Sequence, residues 1–225
     1  MCGIVSYIGK KDPVPILLKG LRRLEYRVYD SAGLALLNSE KLQSIKKVGK
    51  VSALESLIDD SPINGYCGIA HTRWATHGEP NDVNAHPHID KTKKIALVHN
   101  GIIENYDSIK EVLKKRGVSF TSSTDSEVLV QLISELYYNN NEKLSFEDAV
   151  RAALQEVIGA YGIVVICEDE PGKIIAARMG SPLVLGIGDG EFLIASDASP
   201  IIEYTRNVIY LDDNELVLIE DENFL

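Results

Sequence analysis

The sequence predicts an α+β fold in which two β-sheets pack face to face and helices cover the outside. Two observations carry this. Short apolar, β-branched runs gather towards the two ends of the chain, whereas amphipathic helical periods group mostly in the middle. Strands and helices do not alternate regularly, so a parallel βαβ sheet is disfavoured and sheet-on-sheet packing remains. The 225 residues, 45% hydrophobic and 25% charged, fit one large domain or two small ones.

The first strand is Gly3-Ile4-Val5-Ser6-Tyr7-Ile8-Gly9, directly behind Met1 and Cys2. Pro13 and Pro15 suit a helix start, and Ile16, Leu17, Leu18, Leu21 and Leu24 give that helix its apolar face. The run from Arg27 through Asp30 to Gly33 breaks the helix and leads into a short buried strand, Leu34 to Leu37. Leu42 to Val48 returns in a hairpin. Val51, Leu54, Leu57 and Ile58 mark a short helix that Ser61-Pro62-Ile63-Asn64-Gly65 stops. Cys67 to Ala70 reads as a strand, after which His71 to His88 has no apolar period and is expected to be irregular. Ile95 to Val98 is a strand ending in His99-Asn100-Gly101. A helix carries Ile109, Val112 and Leu113 and ends near Gly117. Thr121 to Glu127 is a cap cluster for a helix over Val128 to Tyr138, and Phe146 to Ile158 is another helix. The last third is strand-rich: Gly162–Cys167, Lys173–Arg178, Leu183–Ile187, Glu191–Ala195, Val208–Leu211 and Glu215–Ile219. Asp169-Glu170-Pro171-Gly172 and Gly188-Asp189-Gly190 serve as hairpin connections.

Composition excludes several classes of function. A net charge of −10 argues against a nucleic-acid partner, which calls for a basic footprint. No stretch approaches the roughly 20 apolar residues of a membrane span, and the N-terminus has no secretory pattern. Cys2, Cys67 and Cys167 show no CxxC spacing and read as free thiols of a reducing compartment, so a cytoplasmic protein is expected. The five histidines come without HExxH, paired CxxC or a carboxylate set, and no phosphate-binding glycine motif is present. We expect no metal and no other cofactor.

What remains is a thiol in search of an amide or ester. If Met1 is removed, Cys2 carries both a thiol and a free α-amine, whose ordinary pKa of about 7.7–8.0 leaves part of it neutral near pH 7. That amine can take the thiol proton, so nucleophile and base arise from one residue. The competing reading is a small buried hydrophobe at a chain end. Asn100 and the backbone N–H of Gly101 can serve an oxyanion, against the alternative that Asn-Gly is a hairpin turn. Arg73 with Asp125 can hold the carboxylate and ammonium of a free amino acid, against the alternative that Asp125 is a plain helix-start acid.

Five segments, in order, resemble the class II glutamine amidotransferase family. They are Cys2-Gly3-Ile4-Val5, Tyr26-Arg27-Val28-Tyr29-Asp30-Ser31-Ala32-Gly33, His71-Thr72-Arg73-Trp74-Ala75-Thr76-His77-Gly78, His99-Asn100-Gly101-Ile102-Ile103-Glu104-Asn105 and Thr124-Asp125-Ser126-Glu127. The resemblance covers essentially the whole chain, and the second and third segments favour the branch that supplies ammonia to amino-sugar synthesis. It implies the N-terminal-nucleophile hydrolase fold, a four-layer αββα arrangement with two stacked antiparallel sheets. By the same resemblance Cys2 is the nucleophile, Asn100 and Gly101 form the oxyanion hole, and Arg73 binds the α-carboxylate of L-glutamine with help from Thr76 and His77. Asp125 binds the α-ammonium, Trp74 belongs to a loop closing over glutamine, and Arg27 orders the site. Val28 and Ser6 stand where the family usually or often has glycine. In that branch a sugar-isomerase domain for fructose 6-phosphate shares the chain, and the full-length enzyme is expected to be a homodimer. No such domain is legible here, so residues 1–225 are expected to form the glutaminase domain alone. Two other readings stand beside this one: an amidotransferase domain serving another acceptor, and a catalytically silent glutamine-binding module of the same fold.

Overall fold

Strand alternation decides which residues face the middle of the molecule. The computed structural model describes residues 2–25, 30–39, 41–74, 79–139, 143–220 and 223–225. Its elements, in chain order, are β1 (Gly3–Gly9), α1 (Pro13–Leu24), β2 (Ser31–Leu37), β3 (Leu42–Val48), α2 (Val51–Asp60), β4 (Cys67–Arg73), β5 (His88–Ile89) and β6 (Ile95–Ile103). There follow α3 (Tyr106–Lys115), α4 (Asp125–Tyr138), α5 (Phe146–Gln155), β7 (Gly159–Cys167), β8 (Lys173–Met179) and β9 (Val184–Ile187). The chain closes with β10 (Glu191–Ala195), β11 (Val208–Tyr210), β12 (Leu216–Glu220) and β13 (Asn223–Phe224). They form a seven-stranded sheet ordered β11-β9-β10-β1-β4-β2-β3 and a six-stranded sheet ordered β13-β12-β8-β7-β6-β5. The strand pairs within both sheets are antiparallel.

Three apolar layers separate four structural ones. Between the sheets lie Ile4 and Ile8 of β1, Cys67 and Ile69 of β4, Ala96 and Val98 of β6, and Val164 and Ile166 of β7. The opposite faces of β1, β2 and β4 present Val5, Tyr7, Leu34, Leu36 and Ala70 to α1 and α2. The far face of the second sheet presents Ile95, Leu97, Ile163 and Val165 to α3, α4 and α5. This is the expected αββα stack. In α1 the Asp12 side chain caps the helix by accepting from the Val14 N–H at 3.0 Å, and Leu17, Leu21 and Leu24 are fully buried. Burial of each such leucine contributes about 1.5–3 kcal/mol.

Several element ends differ from the sequence expectation, each for a physical reason. β4 continues through His71-Thr72-Arg73, because pairing with both β1 and β2 satisfies its backbone on two sides. β6 likewise continues through His99-Asn100-Gly101 to Ile103, paired with β7 along its length, so Asn100-Gly101 is not a hairpin turn. The helix expected to reach Ile158 stops at Gln155, because β7 begins at Gly159 and takes up the chain. α4 starts at Asp125, with the Thr124 hydroxyl accepting from the Glu127 N–H as its cap. The two-residue strands β5 and β13 carry too few residues for a legible alternation. Among the described residues no helix is long and apolar enough to cross a membrane.

Candidate active site

Cys2, the end of β4, the middle of β6 and the first turn of α4 meet at one rim of the interlayer. The even positions of β1 and β6 and the odd positions of β4 face inwards. That parity aims Cys2, His71, Arg73 and Asn100 into the space between the sheets, while His99 points the other way, towards α4. A pocket here is lined by Cys2, Arg73, Trp74, Gly101 and Asp125, together with His86 and His99, among other residues.

The Cys2 thiol is held by the backbone of Trp74. Its Sγ accepts from the Trp74 N–H at 3.2 Å and lies 3.8 Å from the Trp74 carbonyl oxygen. Burial raises the thiol pKa, opposed in part by the Trp74 N–H and the Arg73 charge. Cys2 is therefore mainly a thiol at rest, and a base is needed at the moment of attack. Burial also pushes Cys167 up to about 11 and Cys67 further still. Both lie in strands away from the pocket and are unreactive by the same argument.

Asn100 donates from Nδ2 to the Cys2 carbonyl oxygen at 3.0 Å. Its Oδ1 faces His71 Nε2 at 3.0 Å. Gly101 has φ +136°, and a Cβ there would lie 2.0 Å from the Ala160 carbonyl oxygen, so only glycine fits beside Asn100. Asp125 is fixed from two sides. Its Oδ2 accepts from the Ile103 N–H at 2.8 Å and its Oδ1 from the Ser126 N–H at 2.9 Å, which ties α4 to the end of β6. The carboxylate is thus more than a helix-start acid. Arg73 is 5% exposed; burial lowers its pKa, opposed by the charges of Cys2, Asp125 and Asp30. A guanidinium and a carboxylate lining the same pocket as a thiol can bind the two charged ends of an amino acid. Trp74 is half exposed at the pocket mouth.

Arg27, Thr76 and His77 lie outside the described residues, as do Met1 and Val28. Ser6 is buried in β1 with no hydrogen-bond partner for its hydroxyl among the described residues.

Sequence reasoning assigned no role to a histidine cluster beneath the pocket. His71 and His86 stack with ring centres 4.2 Å apart, and His86 meets His88 edge-on at 4.6 Å. His88 Nε2 lies 2.9 Å from the Thr124 hydroxyl, and His99 Nδ1 lies 2.9 Å from the Ser126 hydroxyl. Burial lowers the pKa of all these rings, His71 to about 3, so they are neutral at pH 7. Among the described residues no group of three or more His, Cys, Asp or Glu side chains is arranged to hold a metal ion. Strand parity extended through His71 and Arg73 would have pointed to His71; nothing local marks His86.

Residues 59–221 match the family described as glutamine amidotransferase domain. The chain is 57% identical over 220 residues to a glutamine–fructose-6-phosphate aminotransferase (isomerising) of Bacteroides thetaiotaomicron, covering 97% of this chain and 36% of that protein. It is 54% identical over 227 residues to the protein of the same name from Chlorobaculum tepidum, covering 100% of this chain and 37% of that protein. The chain thus spans little more than a third of the length of these relatives. Among solved structures, glutamine phosphoribosylpyrophosphate amidotransferase from B. subtilis superposes with a TM-score of 0.84 at 25% identity, over 100% of this chain and 48% of that one. A structure described as the allosteric regulatory enzyme of purine biosynthesis gives 0.85 at 26% identity, over 99% and 48%.

Proposed function

The chain belongs to the glutamine amidotransferase domain family and has the N-terminal-nucleophile fold, and from that premise we propose that it hydrolyses L-glutamine to glutamate and ammonia through a thioester on Cys2. One observation carries the reading: a thiol, a guanidinium, a carboxylate and Gly101 line one pocket, with the Asn100 amide hydrogen-bonded to the Cys2 carbonyl beside it.

The reaction runs in two halves. With Met1 attached the nitrogen of Cys2 is an amide and no base, so removal of Met1 is part of the proposal. The freed α-amine then accepts the thiol proton as Sγ attacks the side-chain carboxamide carbon of glutamine. The carbonyl π electrons move onto oxygen, and Asn100 Nδ2–H and the Gly101 N–H stabilise that oxyanion. Collapse expels ammonia, which takes its proton from the protonated amine, and leaves a γ-glutamyl thioester. Water then attacks the thioester carbon, gives a proton to the amine, and displaces the thiolate, which is reprotonated. Arg73 and Asp125 hold the α-carboxylate and α-ammonium throughout, with Thr76 and His77 assisting Arg73. Trp74 closes over the substrate, and Arg27 orders the site.

The relatives' names carry the proposal one step further. In the longer protein the ammonia is delivered to fructose 6-phosphate in glucosamine-6-phosphate synthesis, by a sugar-isomerase domain on the same chain, within a cytoplasmic homodimer. Residues 1–225 alone supply the ammonia and release it. The test is a product assay on the purified chain with glutamine, with and without fructose 6-phosphate. Glutamate should form at the same rate in both, no amino sugar should appear, and Cys2→Ala should abolish glutamate formation. A Cys2→Ala chain with full activity would overturn the proposal. An amino sugar among the products would contradict the assignment of ammonia release to this chain.

A further inference from the structure

We infer that His71 is a positioning residue for this reaction, its Nε2–H locking the Asn100 amide in the one orientation that aims Nδ2 at the Cys2 side of the pocket. The inference rests on the proposed role of Asn100 at the oxyanion.

The orientation of an asparagine amide has to come from its neighbours, because its oxygen and nitrogen ends have nearly the same shape. In this site the neighbours leave no choice. His71 Nε2 faces two oxygens, Asn100 Oδ1 at 3.0 Å and the His99 carbonyl at 3.1 Å. The His99 carbonyl accepts whichever way the amide lies, so Nε2 must carry the proton. The ring is neutral, so Nδ1 holds the lone pair, and it has no hydrogen-bond partner among the described residues. With Nε2–H as donor, Asn100 must turn Oδ1 towards His71, and its NH₂ group then faces the Cys2 carbonyl at 3.0 Å. A flipped amide would set N–H against N–H on one side and oxygen against oxygen on the other.

The placement follows from register. β4 and β6 belong to different sheets, and their inward positions meet across the interlayer. His71 pairs with Ile4 in β1 and with Gly33 in β2, so its ring is anchored at the centre of the sheet while its tip crosses to the other. A neutral ring supplies this hydrogen bond without placing a second positive charge beside Arg73. A protonated His71 would also carry an Nδ1–H that no described residue accepts.

The test contrasts two amide side chains of different reach. In His71→Gln the side-chain nitrogen reaches the place of the imidazole Nε2; in His71→Asn it stops near the place of Nδ1. The kcat and KM for glutamine are measured for both in the 225-residue chain, with melting temperatures alongside. His71→Gln should keep most of the wild-type kcat, whereas His71→Asn should lose roughly tenfold or more, approaching the loss of an oxyanion donor itself. KM should change little in either. In an Asn100→Ala background His71→Asn should cost nothing further. Equal kcat in the two variants, a change confined to KM, or a full additional loss on top of Asn100→Ala would overturn the inference. If Asn100→Ala by itself keeps full turnover, the oxyanion reading is what fails. Nitrogen-15 NMR of histidine-labelled wild-type protein decides the matter independently of variants that do not fold. His71 should remain in the neutral Nε2–H form from pH 7 to pH 5; an Nδ1–H tautomer or titration near pH 6.5 would contradict it.

Discussion

At the scale of single residues, the site divides its work between groups that bind and groups that act on the reacting carbon, and substitutions separate them. Arg73→Ala and Asp125→Ala each remove a charge-assisted contact to the amino-acid ends of glutamine, worth about 1.5–3 kcal/mol. Steady-state kinetics should show KM raised about tenfold or more. Asn100→Ala removes a donor to the developing oxyanion and should lower kcat by about 10²–10³ with KM little changed. The opposite pattern, kcat lost at Arg73 and KM lost at Asn100, would exchange their roles. Cys2, Arg73, Gly101 and Asp125, singled out in the sequence through the family resemblance of the segments that carry them, line one pocket, and Asn100 hydrogen-bonds the Cys2 carbonyl beside it. The buried histidines were not singled out. A buried neutral His has no sequence mark that tells it from a ligand or a surface residue, and His86 is placed only by the loop that carries it.

At the scale of elements, β2 and β3 support that loop. Lys46 of β3 donates from Nζ to the carbonyls of Val83, Ala85 and Pro87 at 3.2, 2.8 and 3.4 Å. Gly33, its partner in β2, lies so close that a Cβ would come 2.2 Å from the His86 carbonyl oxygen. Gly33→Ala must therefore displace either the strand or the loop, and overpacking of this kind costs about 1–3 kcal/mol. Chemical denaturation should record a loss in that range, and glutaminase activity should fall with it as His86 and its neighbours move. Unchanged stability and activity would mean that the loop is not clamped there. The core strands and helices of this framework were legible from alternation and helical period. The ends of β4 and β6 were not, since His71-Thr72-Arg73 and His99-Asn100-Gly101 are polar runs. Their strand conformation comes from partners on both sides rather than from their own apolar pattern.

At the scale of the whole molecule, the four-layer stack buries the polar groups of the site at the rim of its central layer, and this makes stability depend on pH. His71, His86, His88 and His99 all have pKa values lowered by burial, against about 6.5 in the unfolded chain. Above pH 6.5 neither state binds these protons. Below it the unfolded chain takes them up while the folded one does not, so stability is lost as pH falls from 6.5 towards the folded values. Between pH 7.5 and 5.5 His71 removes about 1.4 kcal/mol, and the other buried rings act in the same direction. Urea unfolding at the two pH values measures this, and equal or greater stability at pH 5.5 would refute the burial of neutral rings. The central claim is that Cys2 is the nucleophile of a glutamine site, and its most direct test is labelling of the purified chain with a glutamine analogue carrying an electrophile at the γ position. Intact mass and peptide mapping should show Met1 removed and one covalent adduct, on Cys2, formed in competition with glutamine. An adduct on Cys67 or Cys167, or active protein that retains Met1, would contradict the account.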